Sequence, residues 1–293
     1  MTQAPPCDWP ETTCYLDLWI ELLQGWGHDP AAVLGYAASV QWEGDQFTFC
    51  RPAYDDLAQF YGLAIRELTV YRPMADHIRT QLDRDATVII EADAFHLPDT
   101  AGSTYRTRHE KTTMAVLAYD GVHLSYIHNR SRGRLTGADL GATLAGWALP
   151  PFTEIARREA LPLHGPALGE AVRQALGVRL RRRSPDNPVA AFRAALRQDG
   201  PALTADTFHA YAFNTFRMLG SAFQSLGQLT AWLGDGLDGA VAAAAAGSAA
   251  AKAEQFRAAR ATARGRAPEP GEPLKLAEAA WDEVFHGLHA RYV

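Results

Sequence analysis

A thiol, an imidazole and a hydrogen-bonding side chain to orient it are the minimum set for nucleophilic acyl chemistry, and the 293-residue chain offers one such set. Cys14 opens an apolar helical pattern that runs to about Trp26. At a helix start, unpaired backbone N–H groups and the helix dipole favour a thiolate and can hold the oxyanion formed when it attacks a carbonyl. The other two cysteines, Cys7 and Cys50, have no comparable placement, and a free cysteine of that kind is ordinarily a small buried hydrophobe. Among ten histidines, His109 stands where a flexible loop meets a strand, so it can be aimed into a cleft as the base. Asn129, one residue beyond the second strand of a hairpin, is the expected orienter of His109, with Asp93 at the end of an earlier strand as the competing candidate. His128 is a competing base, but alternation along its strand points it to the opposite face.

Positioning these groups requires a mixed architecture. Thr12 and Thr13 can cap the Cys14 helix, and Asp29-Pro30 opens a second helix through Ala38. A short strand is expected over Gln46 to Phe49, then helices over Tyr54 to Tyr61 and Pro73 to Asp83, and a strand over Thr87 to Ala92. The segment from Leu97 to Arg108 reads as a loop. Beyond it, Lys111 to Tyr119 and Val122 to His128 form strands joined by an Asp120-Gly121 turn. After residue 150 the pattern becomes helical: Pro166 to Leu176, Pro188 to Arg197, Thr204 to Leu233 with an interruption near Gly220 or Gly227, the alanine-rich Gly239 to Arg264, and Leu274 to Tyr292. The expectation is therefore an α+β catalytic domain over residues 1–150 and a helical domain over 151–293 that shapes the cleft.

Other residues suggest a substrate surface. Gln41, Glu43, Asp45 and Gln46 surround Gly44 and read either as a surface turn or as a cleft wall able to bind a substrate ammonium. Asn214 and Arg217 share one side of a helix, either clamping a loop or offering Arg217 to an anion.

Composition bounds the rest. With 47% hydrophobic and 21% charged residues the chain is that of a globular protein. No apolar run reaches the roughly 18 residues of a membrane span, and Met1 to Pro10 does not read as a secretory signal. A reduced cytoplasmic setting is expected. Net charge is −5, divided as −8 over residues 1–150 and +3 over the remainder, with no basic excess suited to nucleic acid. Arg179, Arg181, Arg182 and Arg183 form a local basic cluster. Histidine and carboxylate spacings match no metal motif, and no phosphate-binding glycine loop is present, so no metal or cofactor is expected.

The order of cysteine helix, strand, histidine-bearing strand and hairpin partner resembles the papain-like cysteine fold in its bacterial variants, such as the peptidase domains of bacteriocin exporters. The stretch from Val88 through Asp93 to Pro98, followed by His109 and Ala118-Tyr119-Asp120-Gly121, is similar to the N-terminal domain of the butirosin-biosynthesis acyltransferase family. That similarity covers mainly residues 14–130. It implies transfer of an acyl or aminoacyl group from a carrier-protein thioester, borne on phosphopantetheine, to a small-molecule amine. Near its full length the chain resembles the bacterial domain-of-unknown-function family 1839. The matching motifs are Cys14 through Leu23, Glu43-Gly44-Asp45-Gln46, Leu97 through Gly102, His109 through Thr113, and Phe208 through Arg217.

Papain-like peptidases place a glutamine just before the nucleophile. Here Pro10-Glu11-Thr12-Thr13 precedes Cys14, so Gln41, Gln46 or backbone N–H groups would complete the oxyanion hole. The expected partners are thus a carrier protein, with the arginine cluster as its docking patch, and an amine acceptor. Neither nucleic acid nor membrane is expected, and a homodimer is left open by the alanine-rich helix. Hydrolysis on the same site, or a non-catalytic binding module, are the competing functions.

Overall fold

The computed structural model describes residues 13–293 and divides into two compact units. One comprises residues up to Pro30 with Ala53–Leu163, and the other Ala31–Pro52 with His164–Val293.

The first unit is α+β. Its elements are α1 (Cys14–Gly25), α2 (Tyr54–Tyr61), β1 (Leu63–Glu67), α3 (Met74–Leu82), β2 (Thr87–Asp93), β3 (Lys111–Tyr119), β4 (His123–His128), β5 (Ser131–Thr136), α4 (Gly137–Ala145) and β6 (Thr153–Arg158). Short 3₁₀ turns at Ala94–His96 and Pro98–Thr100 follow β2. The six strands form one antiparallel sheet in the order β1-β6-β2-β3-β4-β5, with the last strand in sequence inserted between β1 and β2.

Alternation gives the sheet two distinct faces. Val88, Ile90, Ala92, Met114, Val116, Leu124, Tyr126 and Leu135 turn one way and are covered by Met74 and Ile78 of α3 and Leu140 of α4. On the other face, the pairings Glu154↔Ile89, Ile89↔Ala115, Ala115↔Ile127 and Ile127↔Arg132 define a row that runs straight across five strands. Helix α1 crosses this face and packs on β3 and β4. Near its start, the Tyr15 hydroxyl donates to Glu154 Oε2 at 2.7 Å. At its end, a Cβ on Gly25 would lie 3.0 Å from Arg132 Nη2. The lengths agree: the 12 residues of α1 span about 18 Å at 1.5 Å each, and four strand spacings span about 19 Å. Thr13 starts the helix, its Oγ1 accepting from Leu16 N at 3.1 Å.

The second unit is helical: a 3₁₀ segment (Pro30–Ser39), α5 (Gly165–Arg182), α6 (Pro188–Asp199), α7 (Ala205–Ala212), α8 (Met218–Leu233), α9 (Asp238–Thr262) and α10 (Glu272–Tyr292). Small residues let α9 approach its neighbours closely. Ala240, Ala243, Ala244, Gly247, Ala250 and Ala251 are buried, and a Cβ on Gly247 would come within 2.4 Å of the Phe223 ring on α8.

Several elements differ from expectation for identifiable reasons. The edge strands β1 and β5 and the strand β6 lack a sequence signal, since β5 buries only Leu135 and β6 carries Glu154 as its second residue and arginines at its end. Helix α4 was likewise not anticipated by the periodicity. The segment expected as a strand over Gln46 to Phe49 is instead a single bridge, Trp42↔Phe47, because Phe47 N turns to Asn214 O at 3.1 Å. The long helix is interrupted by π-helical turns at Phe213–Arg217, not at Gly220 or Gly227. The second helix is 3₁₀.

Two glycine substitutions in this unit should act in opposite directions. Gly247→Ala must displace Phe223 and should lower stability by about 1–3 kcal/mol. Gly220→Ala, whose Cβ would meet nothing within 4 Å, should raise it by about 0.5–1 kcal/mol. Urea midpoints measured at constant slope check both signs.

Candidate active site

Asp93 closes β2 and is the anchor of the site. Its Oδ2 lies 2.6 Å from His109 Nδ1, while Oδ1 accepts from Phe95 N at 3.0 Å and Glu110 N at 3.2 Å. Both ends of the 95–110 segment are thereby tied to one carboxylate. Partial burial raises the Asp93 pKa, but the His109 contact and the two backbone N–H groups outweigh it and hold the carboxyl below its usual range. An ionised carboxylate only accepts, so His109 Nδ1 carries a proton, and the lone pair of the uncharged ring form falls on Nε2. The Phe95 ring stacks on the imidazole, with centroids 4.3 Å apart and planes 13° from parallel, and fixes its tilt. His109 remains 72% exposed, so Nε2 is available to a substrate or nucleophile.

Asn129 does not share this role. It sits in the tight turn between β4 and β5 at φ 50° and makes no hydrogen bond to His109. Cys14 is the first residue of α1, half-buried and without a disulfide partner among the described residues. It lies on the same sheet face as Asp93, since Ile89, Glu91 and Asp93 alternate with the inward-facing Val88, Ile90 and Ala92. The neighbouring Tyr15 ties that end of α1 to the β6–β2 border. No hydrogen bond joins Cys14 to His109. Cys50 is buried in the helical unit, its Sγ 3.5 Å from Met218 O, and burial pushes its thiol up to about 12, which removes it as a nucleophile at neutral pH. Cys7, Thr12 and Gln3 lie outside the described residues.

A second histidine–aspartate pair occupies the opposite face. His128 Nδ1 is 2.6 Å from Asp99 Oδ2, and His128 Nε2 is 2.7 Å from Thr112 Oγ1. The Tyr126 hydroxyl donates to Asp99 Oδ1. With both nitrogens occupied and the ring buried, His128 has no lone pair for a substrate. Burial raises the Asp99 pKa, but the His128 and Tyr126 hydrogen bonds prevail and keep the carboxyl low; burial and the adjacent carboxylate push the Tyr126 phenol far up. This network fastens the 97–108 loop to the sheet. Tyr105 donates to Asp139 on α4 at 2.8 Å, and Arg106 pairs with the same carboxylate. Gly133 is required beneath it, because a Cβ there would fall 2.3 Å from the Tyr126 ring. The sequence offers Asp99 and Thr112 only within longer motifs and does not single out Tyr126; the shared face of Thr112, Tyr126 and His128 is the signal that relates them.

The remaining sequence-derived candidates gather in the helical unit. Glu43 N donates to Gln46 O at 2.8 Å, closing a turn that leaves Gln41, Glu43, Asp45 and Gln46 exposed. Thr48 Oγ1 donates to Glu43 Oε1 at 2.7 Å. Asn214 holds this turn through its carbonyl, and its side-chain amide donates to Ala210 O at 2.9 Å. Arg217 closes the same π-helical segment, half-buried. In the arginine cluster, Arg181 and Arg182 are exposed, whereas Arg183 lies over the Phe285 ring at 3.6 Å. Among the described residues no group of three histidine, cysteine or carboxylate side chains is arranged to hold a metal, and no helix is long and apolar enough to cross a membrane.

The chain thus comprises an α+β unit, with a six-stranded antiparallel sheet and the exposed, Asp93-oriented His109 imidazole, and a helical unit. Two family models match it, the DUF1839 N-terminal domain over residues 2–158 and the DUF1839 C-terminal domain over residues 166–290, and the chain belongs to the DUF1839 family. No curated protein matches it.

The two carboxylates set an acid limit. Both have folded pKa values below the unfolded one, so their contribution to stability is full above about pH 4 and is lost as pH falls through the folded values. Asp99→Asn should cost about 2–3 kcal/mol at neutral pH by leaving His128 and Tyr126 mispaired, and its urea midpoint should fall less steeply from pH 6 to pH 3 than that of the parent. The ¹⁵N shifts of His109 should report a protonated Nδ1 whose hydrogen-bond signature is lost in Asp93→Ala.

Proposed function

We propose that the protein is a cysteine-dependent acyltransferase on a papain-like scaffold. It moves an acyl or aminoacyl group from a carrier-protein thioester to a small-molecule amine. The observation that carries this reading is the His109–Asp93 pair, an oriented imidazole with an exposed Nε2 on the sheet face crossed by the Cys14 helix.

In the first step His109 takes the Cys14 proton and the thiolate attacks the thioester carbonyl. The carbon–sulfur bond to the phosphopantetheine arm breaks, and the departing thiolate recovers the proton from His109. Backbone N–H groups at the start of α1 stabilise the tetrahedral oxyanion. In the second step the amine attacks the Cys14 thioester, His109 accepts the amine proton, and the Cys14 sulfur leaves. Asp93 keeps the imidazole in its reactive tautomer and stabilises the imidazolium formed in each step. The turn bearing Glu43 and Asp45 would recognise an ammonium group, and Arg181 with Arg182 an acidic carrier. The chemistry needs no cofactor of the protein's own.

Hydrolysis is the second reading, favoured by the 72% exposure of His109, which lets water compete with the amine for the acyl-enzyme.

Intact-protein mass spectrometry with a panel of aminoacyl carrier proteins and thioester mimics tests the proposal. The expected result is a mass increase equal to the acyl group, absent in Cys14→Ala and formed about 10²–10⁴-fold more slowly in His109→Ala. Added amine should then discharge the adduct as an amide; discharge as the free acid would establish the hydrolase. A broad panel that labels Cys14→Ala equally, or labels neither protein, contradicts both readings.

A further inference from the structure

Far along the sequence from the cysteine and histidine motifs, the C-terminal end of α9 gathers four arginines around a cleft of about 380 Å³ lined by Phe256, Arg257, Arg260, Ala261, Arg264 and Arg266. Arg257 is held in place. Its Nη2 and Nε donate to Glu254 at 2.6 and 3.1 Å, and Glu254 is wholly buried and also receives Gly271 N at 2.8 Å. Gly271 permits this contact, because a Cβ there would lie 2.5 Å from Arg257 Nε. The other guanidiniums are uncommitted: Arg260, Arg264 and Arg266 form no ion pair among the described residues.

Cations at a helix C-terminus often serve the last carbonyls. Here backbone groups already do so. Ala263 N answers Ala259 O, Arg264 N and Arg266 N answer Ala261 O, and Gly265 N answers Thr262 O, all within 3.0 Å. The arginine side chains are therefore left to the cleft. Phe256, 61% exposed, adds an aromatic wall to it.

We infer that this cleft binds a phosphate ester carrying a planar or apolar group. A buttressed arginine and three free ones suit a doubly charged oxyanion with several acceptor oxygens, which guanidinium forks engage bidentately. The volume exceeds that of a bare phosphate, and the Phe256 ring supplies a surface for the ester group. The site is independent of the Cys14 chemistry and stands or falls separately from it.

Calorimetric titration of the full chain with phenyl phosphate and with inorganic phosphate, at low and at physiological salt, tests the inference. Phenyl phosphate should bind saturably at one site, about threefold to tenfold tighter than inorganic phosphate. Phe256→Ala should abolish that preference. Arg260→Ala with Arg264→Ala should weaken both ligands about tenfold or more. Arg264→Glu with Arg266→Glu, beyond the end of α9, should reproduce the loss without altering the helix. No saturable binding at low salt, equal affinity in the arginine variants, or binding of polyglutamate that phenyl phosphate does not displace would overturn it; the last would mark a surface for acidic polypeptides instead.

Discussion

The three hydrogen bonds received by the Asp93 carboxylate hold the candidate site together. One oxygen receives the backbone at both ends of the 95–110 segment, and the other receives the His109 imidazole. The same group therefore closes a loop and selects a tautomer. Loss of the carboxylate would free the ring and the loop entrance at once, which is why a residue 30% exposed at a strand end has consequences beyond its own burial.

The sheet separates two similar pairs into different jobs. Asp93 and His109 lie on the face crossed by α1, with an exposed ring nitrogen. Asp99 and His128 lie on the face covered by α3 and α4, with both nitrogens occupied by Asp99 and Thr112. The two pairs differ in solvent access and in the Thr112 hydroxyl, which occupies the second nitrogen of His128 while Nε2 of His109 stays exposed. The Asp99–His128 pair bears on His109 because it anchors the loop that leads into it, with Tyr105 and Arg106 adding a second attachment on Asp139.

Much of this was legible in the sequence. The Cys14 helix, the strand ending at Asp93 and the hairpin around Asp120-Gly121 all carry strong local signals, because apolar periodicity and turn chemistry act over a few residues. Choosing between Asn129 and Asp93 was not legible, since it depends on strand register and on a left-handed turn conformation at Asn129. The edge strand β5 was hidden by its polar composition, and β6 by the buried Glu154 that receives Tyr15 from α1. The π-helical turns at Phe213–Arg217 arise from a tertiary demand, the carbonyl of Asn214 turning to Phe47 N, which no local pattern announces.

The central claim is that His109, oriented by Asp93, activates Cys14. The rate of Cys14 alkylation by iodoacetamide as a function of pH, in the parent chain, in Asp93→Ala and in His109→Ala, tests it most directly. The account predicts that Cys14 reacts faster near neutral pH than a free cysteine of similar exposure, and that its profile shifts toward that of an ordinary thiol when His109 is removed and part of the way when Asp93 is removed. One superimposable profile in all three proteins would contradict it.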